Sequence, residues 1–374
     1  YAAILKNIAQ LYISEKKYDI AFNSLTIAEN IWLQKTGNKR NINTASIYTL
    51  TGDVYYQQLN YNKAEEFYNK ALNIYSKNSF SASHPEYVKV ISKLSKVYYM
   101  KKDYKRAKEN IEGALNNYEN YIKQFFPALS EREKAKYWNT IQSDFEFYNT
   151  LAFGKLDEFK DLGANVFNYQ LLTKALLLSS SIKIRERIMN STDAELKTQY
   201  ENWIQKKELL TLALSLTPTQ LTESEIDPAA LTVEVERLER FLSQRSELFG
   251  QNFESKRILF TDVAKSLKPN EVAIEMIRFR VFNHTFTDSV VYAAMYVKND
   301  SKKPEVILLN DGARMEGRNF RYYRNAIQGK IDDNNSYTAY WAPIQKQLGQ
   351  VSTIYLSADG VYNQINLEAI PTPD

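Results

Sequence analysis

No cysteine occurs anywhere in the 374 residues. That absence excludes a disulfide, a thiolate nucleophile and a thiolate-ligated metal within the chain, and it leaves the redox compartment unread. Histidine is nearly missing as well: His84 and His284 are the full complement, too few and too far apart in sequence for an imidazole-built zinc site. Neither a Gly-rich phosphate loop nor an Asp-rich calcium loop interrupts the chain, so no metal and no cofactor is expected. Long hydrophobic runs are absent too. The longest, Leu171 to Ile182, is broken by Thr173, Lys174 and three serines and falls short of the roughly 18 residues a spanning helix needs. An excess of one charge is also lacking. Forty-eight basic and 44 acidic residues leave +4, and their mixing along the chain implies a solvated surface with no general attraction to nucleic acid or anionic membrane. The chain opens at Tyr1 with neither an initiator Met nor a signal-peptide pattern. A cytoplasmic protein is the expectation, and a removed leader would place it in the cell envelope instead.

What is present first is a repeat. The segments LKNIAQLYISEKKYDIAFNSLTIA, LTGDVYYQQLNYNKAEEFYNKAL and LSKVYYMKKDYKRAKENIEGAL align on the small residues Ala9, Gly52 and Ser95, spaced 43 apart. Each copy carries a Tyr three residues on (Tyr12, Tyr55, Tyr98) and another before its second helix (Tyr18, Tyr61, Tyr104). Two alanines follow: Ala21, Ala64 and Ala107, then Ala28, Ala71 and Ala114. Small residues are needed where antiparallel helices approach closely, and the pattern predicts a solenoid of helical hairpins. In SHPEYVKVISKLSKVYY, Ser83 is placed to cap the third hairpin's first helix, with Glu86 reaching back and Pro85 in the first turn. His84 is therefore read as structural.

These residues resemble the tetratricopeptide repeat (TPR), in the longer form of kinesin-light-chain-like proteins, over about residues 1–121. The resemblance implies a concave surface lined by one helix of each pair, where a protein or peptide ligand binds. Carried over repeat by repeat, its groove positions are Lys6, Gln10 and Ile13, then Thr49, Asp53, Tyr56 and Gln57, then Ser92, Lys96 and Tyr99. Aromatics there would supply contact area, and Lys, Asp and Gln would bond a peptide backbone or its charges. The alternative is a face that is solvated or packed on the rest of the same chain.

Residues 122–255 read as a helical linker region. Ser130 to Glu133, Thr192 to Glu195, Thr217 to Gln220 and Thr222 to Glu225 each fit a capping box. The stretch TPTQLTESEIDPAALT reads as a loop or hinge, and VEVERLERFLSQRSELFG as an amphipathic helix ending at Gly250. IKIRERI could be taken for a basic nucleic-acid patch, but Glu186 interrupts it, and Ile182, Ile184 and Ile188 mark a buried side.

The period changes near residue 256. A short helix ending at Pro269 precedes the β-rich runs VAIEMIRF and SVVYAAMYVK, joined through RVFNHTFTD, and EVILLND makes a third strand. GRNFRYYRNAIQGK returns to helical spacing, with Phe320, Tyr323 and Ile327 on one side and Arg318, Arg321 and Arg324 on another. SYTAYWAPIQKQLGQ reads as a further helix and VSTIYLSADG as a fourth strand, closed by the tight-turn pair Asp359-Gly360. Strands alternating with helices imply an α/β layer with a largely buried sheet. His284, in a hairpin loop four residues before Asp288, offers too little for a triad with any particular serine. Asp359 and Glu368 could pass for paired carboxylates, but their turn and strand-end setting favours structural hydrogen bonds.

The stretches LKPNEVAIEMIRF, VVYAAMYVK, PEVILLND and YWAPIQKQLGQVSTIYLSADGVYNQINLEAIP resemble the CHAT domain, the caspase-like protease domain that bacteria attach to TPR arrays. The family's turn signature falls on Ser357, Asp359, Gly360, Ile365, Asn366, Leu367, Glu368 and Ala369, with Ala358 and Asn366 where the family usually has Pro. LSEREKAKYW and LLTKALLLSSS are similar to the helical linker of such proteins. The fold class implied is mainly α: a TPR-type α-solenoid and helical linker, followed by a partial α/β caspase-like domain over residues 256–374. In that family the catalytic His and Cys follow the signature, so both would lie beyond Asp374 and the chain alone would be inactive. The expected function is the recognition and regulatory portion of a CHAT-family cysteine peptidase, awaiting the C-terminal part of that domain. The alternatives are a non-enzymatic interaction scaffold with a degenerate CHAT half, and a hydrolase of unseen site that would turn over substrate unaided.

Overall fold

Small side chains dictate how closely helices meet in the first part of the molecule. The computed structural model describes residues 1–36, 41–77, 84–126, 129–214, 216–224, 226–248 and 257–372, apart from the side chains of 36, 175–187, 218, 219, 222 and 246–248. It divides into two compact units. One holds Tyr1–Tyr118 with Phe282–Phe286, the other Glu119–Val281 with Thr287–Asp374.

The first unit contains α1 (Ala2–Ser14), α2 (Tyr18–Thr36), α3 (Ile42–Gln57), α4 (Tyr61–Lys77), α5 (Pro85–Met100) and most of α6 (Tyr104–Phe125). Ala9, Ala21, Ala28, Ala64, Ala71, Ala107 and Ala114 are all fully buried, as is Ser95. At Gly52 an added Cβ would lie 2.5 Å from the ring of Tyr68. The glycine thus makes room for a buried tyrosine whose hydroxyl donates to Asp53 Oδ1 at 2.6 Å.

The turn inside each hairpin repeats as faithfully as the helices. Lys16, Leu59 and Lys102, again 43 residues apart, all adopt a left-handed conformation near φ 60°. The following amide donates back to Tyr12, Tyr55 or Tyr98, and the left-handed residue's own amide to Ile13, Tyr56 or Tyr99. This is a Schellman ending without its usual glycine. Sequence reading passes over it because Gly is the signal it seeks. At the start of α5 the cap is His84 itself, whose Nδ1 accepts from the Glu86 amide at 3.2 Å, with Pro85 in the first turn. Ser83 lies outside the described residues.

The second unit begins with α7 (Glu131–Gly154), α8 (Leu162–Asn190), α9 (Ala194–Ala213), α10 (Pro218–Glu223), α11 (Pro228–Leu248) and α12 (Phe260–Ser266). The Ser130–Glu133 capping box is formed, and Thr217 and Gln220 bond reciprocally. At α9 the cap is Asp193, one residue past Thr192, because its carboxylate reaches the Leu196 amide. Thr222 falls inside α10, and Asp227 caps α11 instead. The stretch read as a hinge therefore contains a helical turn. Glu225 and Gly250 lie outside the described residues, as do the side chains of Ile182, Ile184 and Glu186, while Ile188 is buried.

A four-stranded sheet follows: β1 (Glu271–Asn283), β2 (Thr285–Lys298), β3 (Glu305–Leu309) and β4 (Thr353–Ser357), ordered β3-β2-β1-β4. β4 runs parallel to β1, with Glu271 opposite Thr353, and β3 antiparallel to β2. The segment read as a loop joining β1 and β2 is itself strand, apart from a turn at His284. β1 and β2 carry long buried runs, but β4 at the sheet's edge leaves Ile354 and Tyr355 exposed, so the sheet is buried only in part. α13 (Gly312–Arg314) passes through a π-helical turn, Met315–Asn319, into α14 (Phe320–Gly329). Tyr323 and Ala326 face its core. Ile327, expected beside Phe320 and Tyr323, is exposed, because the buried side of α14 runs from Tyr323 to Ala326 and Ile327 falls just past its edge. What read as one further helix is two, α15 (Ser336–Tyr340) and α16 (Ala342–Leu348), broken at Trp341 where Pro343 enters.

Candidate functional site

On each first helix of the repeat, the proposed ligand positions are spaced i, i+4, i+7, which puts them on one face. The structure gives them different surroundings. In α3, Thr49 is buried and its hydroxyl returns to the Ala45 carbonyl; Ser92 in α5 is buried likewise. Both precede the small crossing residues Gly52 and Ser95 by one turn and are drawn into the same helix contact. Asp53 is committed: it accepts from Tyr68 Oη and, at 2.7 Å, from Lys93 Nζ on α5, tying one repeat to the next. Lys93, which the family positions do not include, is thus part of this face. Lys6, Gln57 and Lys96 are half-buried and Gln10 is exposed. Ile13 packs against the hydrophobic cluster of the first two hairpins.

Tyr56 and Tyr99 meet residues 282–286, which belong to the same unit. The Tyr56 ring stacks on the His284 imidazole, centroids 4.6 Å apart and planes 18° from parallel. Tyr56 Oη donates to the His284 carbonyl at 2.7 Å. Tyr61 Oη and His284 Nδ1 share a 3.2 Å hydrogen bond, and the His284 amide points at Met100 Sδ, 3.1 Å away. Tyr99 stands edge-on to the buried ring of Phe282. Burial of this cluster lowers the His284 pKa and raises that of Tyr56, so near neutral pH both rings are uncharged. Sequence reading had no local signal for this, because 228 residues separate Tyr56 from His284.

A second polar centre lies in the other unit, at the turn after β4. Asp359 accepts from the amides of Arg278 and Gly360, both at 2.8 Å. Arg278 forms a bidentate pair with Glu316, and Tyr292 Oη donates to the same carboxylate while accepting from the Val361 amide. The Arg278 hydrogen bond holds the Glu316 carboxyl below its ordinary range. Gly360 is left-handed at φ 54°, and a Cβ there would strike Tyr292 Oη. Three more tyrosine hydroxyls brace this region: Tyr362 donates to the Tyr340 carbonyl, Tyr340 to the Met315 carbonyl, and Tyr323 accepts from the Asn366 amide. Lys174 of α8 reaches Glu275 Oε2, the Met276 carbonyl and Ser357 Oγ. Lys174 thereby ties α8 to β1 and to the end of β4. Asp359 is engaged by backbone amides, and Glu368 stands in the short 3-10 turn Leu367–Ala369.

Among the described residues, the hydrogen bonds of the His284 ring include no serine or carboxylate, and no cluster of three His, Asp or Glu side chains is placed to hold a metal ion. No helix of the described residues is long and apolar enough to cross a membrane. Against this geometry, the family model described as Tetratricopeptide repeat matches residues 1–77. No curated protein matches the chain. Over its first two helical hairpins the chain is thus similar to tetratricopeptide repeats in sequence as in packing, and repeats of that kind suggest a protein-interaction role.

Proposed function

We propose that the chain is the recognition and regulatory portion of a CHAT-family cysteine peptidase of bacterial type. Its repeat array takes a protein or peptide partner and thereby governs a caspase-like domain whose Cys-His dyad lies on polypeptide following Asp374. The observation that carries the recognition half is the strict 43-residue recurrence of buried small residues, identical turns and one half-open helix face. Peptide selection on the intact 374-residue chain tests it. Peptides should be enriched, and binding should fall at least tenfold with Gln10→Glu combined with Lys96→Glu. Enrichment that ignores these substitutions would defeat the reading.

The peptidase half is supported by the parallel β1–β4 pair, by an edge strand with exposed Ile354 and Tyr355, and by the Asp359-Gly360 turn fixed by Arg278 and Tyr292. An exposed strand edge is where another strand adds. The reading is checked by extending the chain with whatever its gene encodes next and assaying peptidase activity: a downstream Cys whose replacement by Ala abolishes turnover supports it. A gene that ends here favours the second reading, a non-enzymatic scaffold whose α/β half is degenerate. Turnover by the 374-residue chain alone would contradict both. A cytoplasmic location goes with the proposal and is tested by cell fractionation.

A further inference from the structure

His284 carries the chain from β1 into β2 by itself, in the left-handed region at φ 65°, uncommon for a residue other than Gly although His is enriched among the exceptions. The surroundings hold it there. Around this one residue, its carbonyl takes the Tyr56 hydroxyl, its ring lies flat on the Tyr56 ring, its Nδ1 meets Tyr61 and its amide meets Met100 Sδ. Two residues earlier in β1, Phe282 is buried against Tyr99. A peptide-binding patch offers these same elements: rigid rings for area and hydroxyls for the backbone. Tyr56 and Tyr99 are, moreover, two of the face positions at which a ligand of the array would be held.

We propose that Tyr56, Tyr61 and Tyr99 form a binding site for a peptide turn bearing an imidazole or aromatic ring, filled in this structure by the chain's own residues 282–286, so that an external peptide of this kind binds only by displacing them. The inference rests on the reading of the first-helix face as the ligand surface, and it adds the ligand's chemistry and a competitor. A tethered occupant acts at an effective concentration on the order of millimolar. An external peptide making equal contacts therefore binds weakly until the resident turn is withdrawn. Near neutral pH the imidazole is uncharged, which suits a stack between phenol rings and gives the Tyr61 hydroxyl a ring nitrogen to bond.

The probe is a fluorescein-labelled peptide of sequence RVFNHTFTD, residues 280–288, titrated into the full chain. His284→Gly suits the left-handed turn while removing the ring, and it should bind the peptide at least tenfold more tightly than wild type. Adding Tyr56→Ala should abolish that gain. A second measurement needs no variant. With two histidines in the chain, the His284 ring signal is readily assigned by NMR, and saturating peptide should move it to the shift of a solvent-exposed imidazole. Equal affinity of both forms, binding to neither, or a His284 signal unmoved at saturation overturns the inference. These results are separable from failure of the recognition reading: selected peptides that bind without disturbing His284 defeat only the displacement, whereas an array that selects no peptide defeats the recognition reading.

Discussion

Helices of the first unit meet backbone to backbone across Ala9, Gly52, Ala64 and Ala107, whereas the α/β unit joins its elements through the hydroxyls of Tyr292, Tyr323, Tyr340 and Tyr362. The difference concerns how information is stored. Close approach needs only a missing side chain, can be copied every 43 residues, and makes each hairpin depend on its neighbours alone. A hydroxyl bridge needs a partner fixed at the right distance by another element, so the turn after β4 depends on β1, β2 and the π-helical segment together. A defect in the repeats should therefore stay local, and a defect at the Asp-Gly turn should spread through its unit.

The sharpest way to break that contrast is Gly360→Ala. It adds a Cβ at a left-handed position and against Tyr292 Oη, for a loss of about 3 kcal/mol in the second unit by urea unfolding. Pairing it with Tyr292→Phe should recover part of that loss, since the two positions share one space. Next in size is Ala64→Leu. Overpacking a fully buried helix crossing should cost about 2 kcal/mol, and Ala21→Leu and Ala107→Leu should cost the same because the period makes the sites equivalent. Unequal values among the three would argue against equivalence.

The periodic half was the more legible one. The positions read as small and buried are so, because residue size and spacing are local properties. The helix ends were read less well. Lys16, Leu59 and Lys102 end their helices without glycine, and His84 and Asp193 cap helices where Ser83 and Thr192 had been expected, because several polar residues in a row can each serve. Strand positions in the second half were visible, but not the exposure of Ile354 and Tyr355 at the sheet's edge. At the candidate site, spacing put Thr49 and Tyr56 on one face yet could not tell that Thr49 turns inward while Tyr56 meets His284, a partner with no sequence proximity.

Smaller effects sharpen the comparison further. Lys16→Gly, Leu59→Gly and Lys102→Gly should each stabilise the first unit by about 0.5 kcal/mol, relief of the left-handed penalty exceeding the added chain entropy. Glu15→Gly, at an ordinary helix-end conformation, should lose stability instead. The smallest effect is pH dependence at His284. Its pKa is lowered in the fold by burial, so the unfolded chain binds the proton more readily and stability rises with pH. The contribution is fully present above the ordinary histidine value of 6.5 and is lost as pH falls below it, read as a decline in melting temperature that His284→Gly removes.

Amide hydrogen exchange of the intact chain, with and without a saturating peptide selected on it, tests the central claim most directly. The account expects slowed exchange confined to α1, α3 and α5 and quickened exchange at residues 282–286. Slowing elsewhere, with those first helices unchanged, would contradict it.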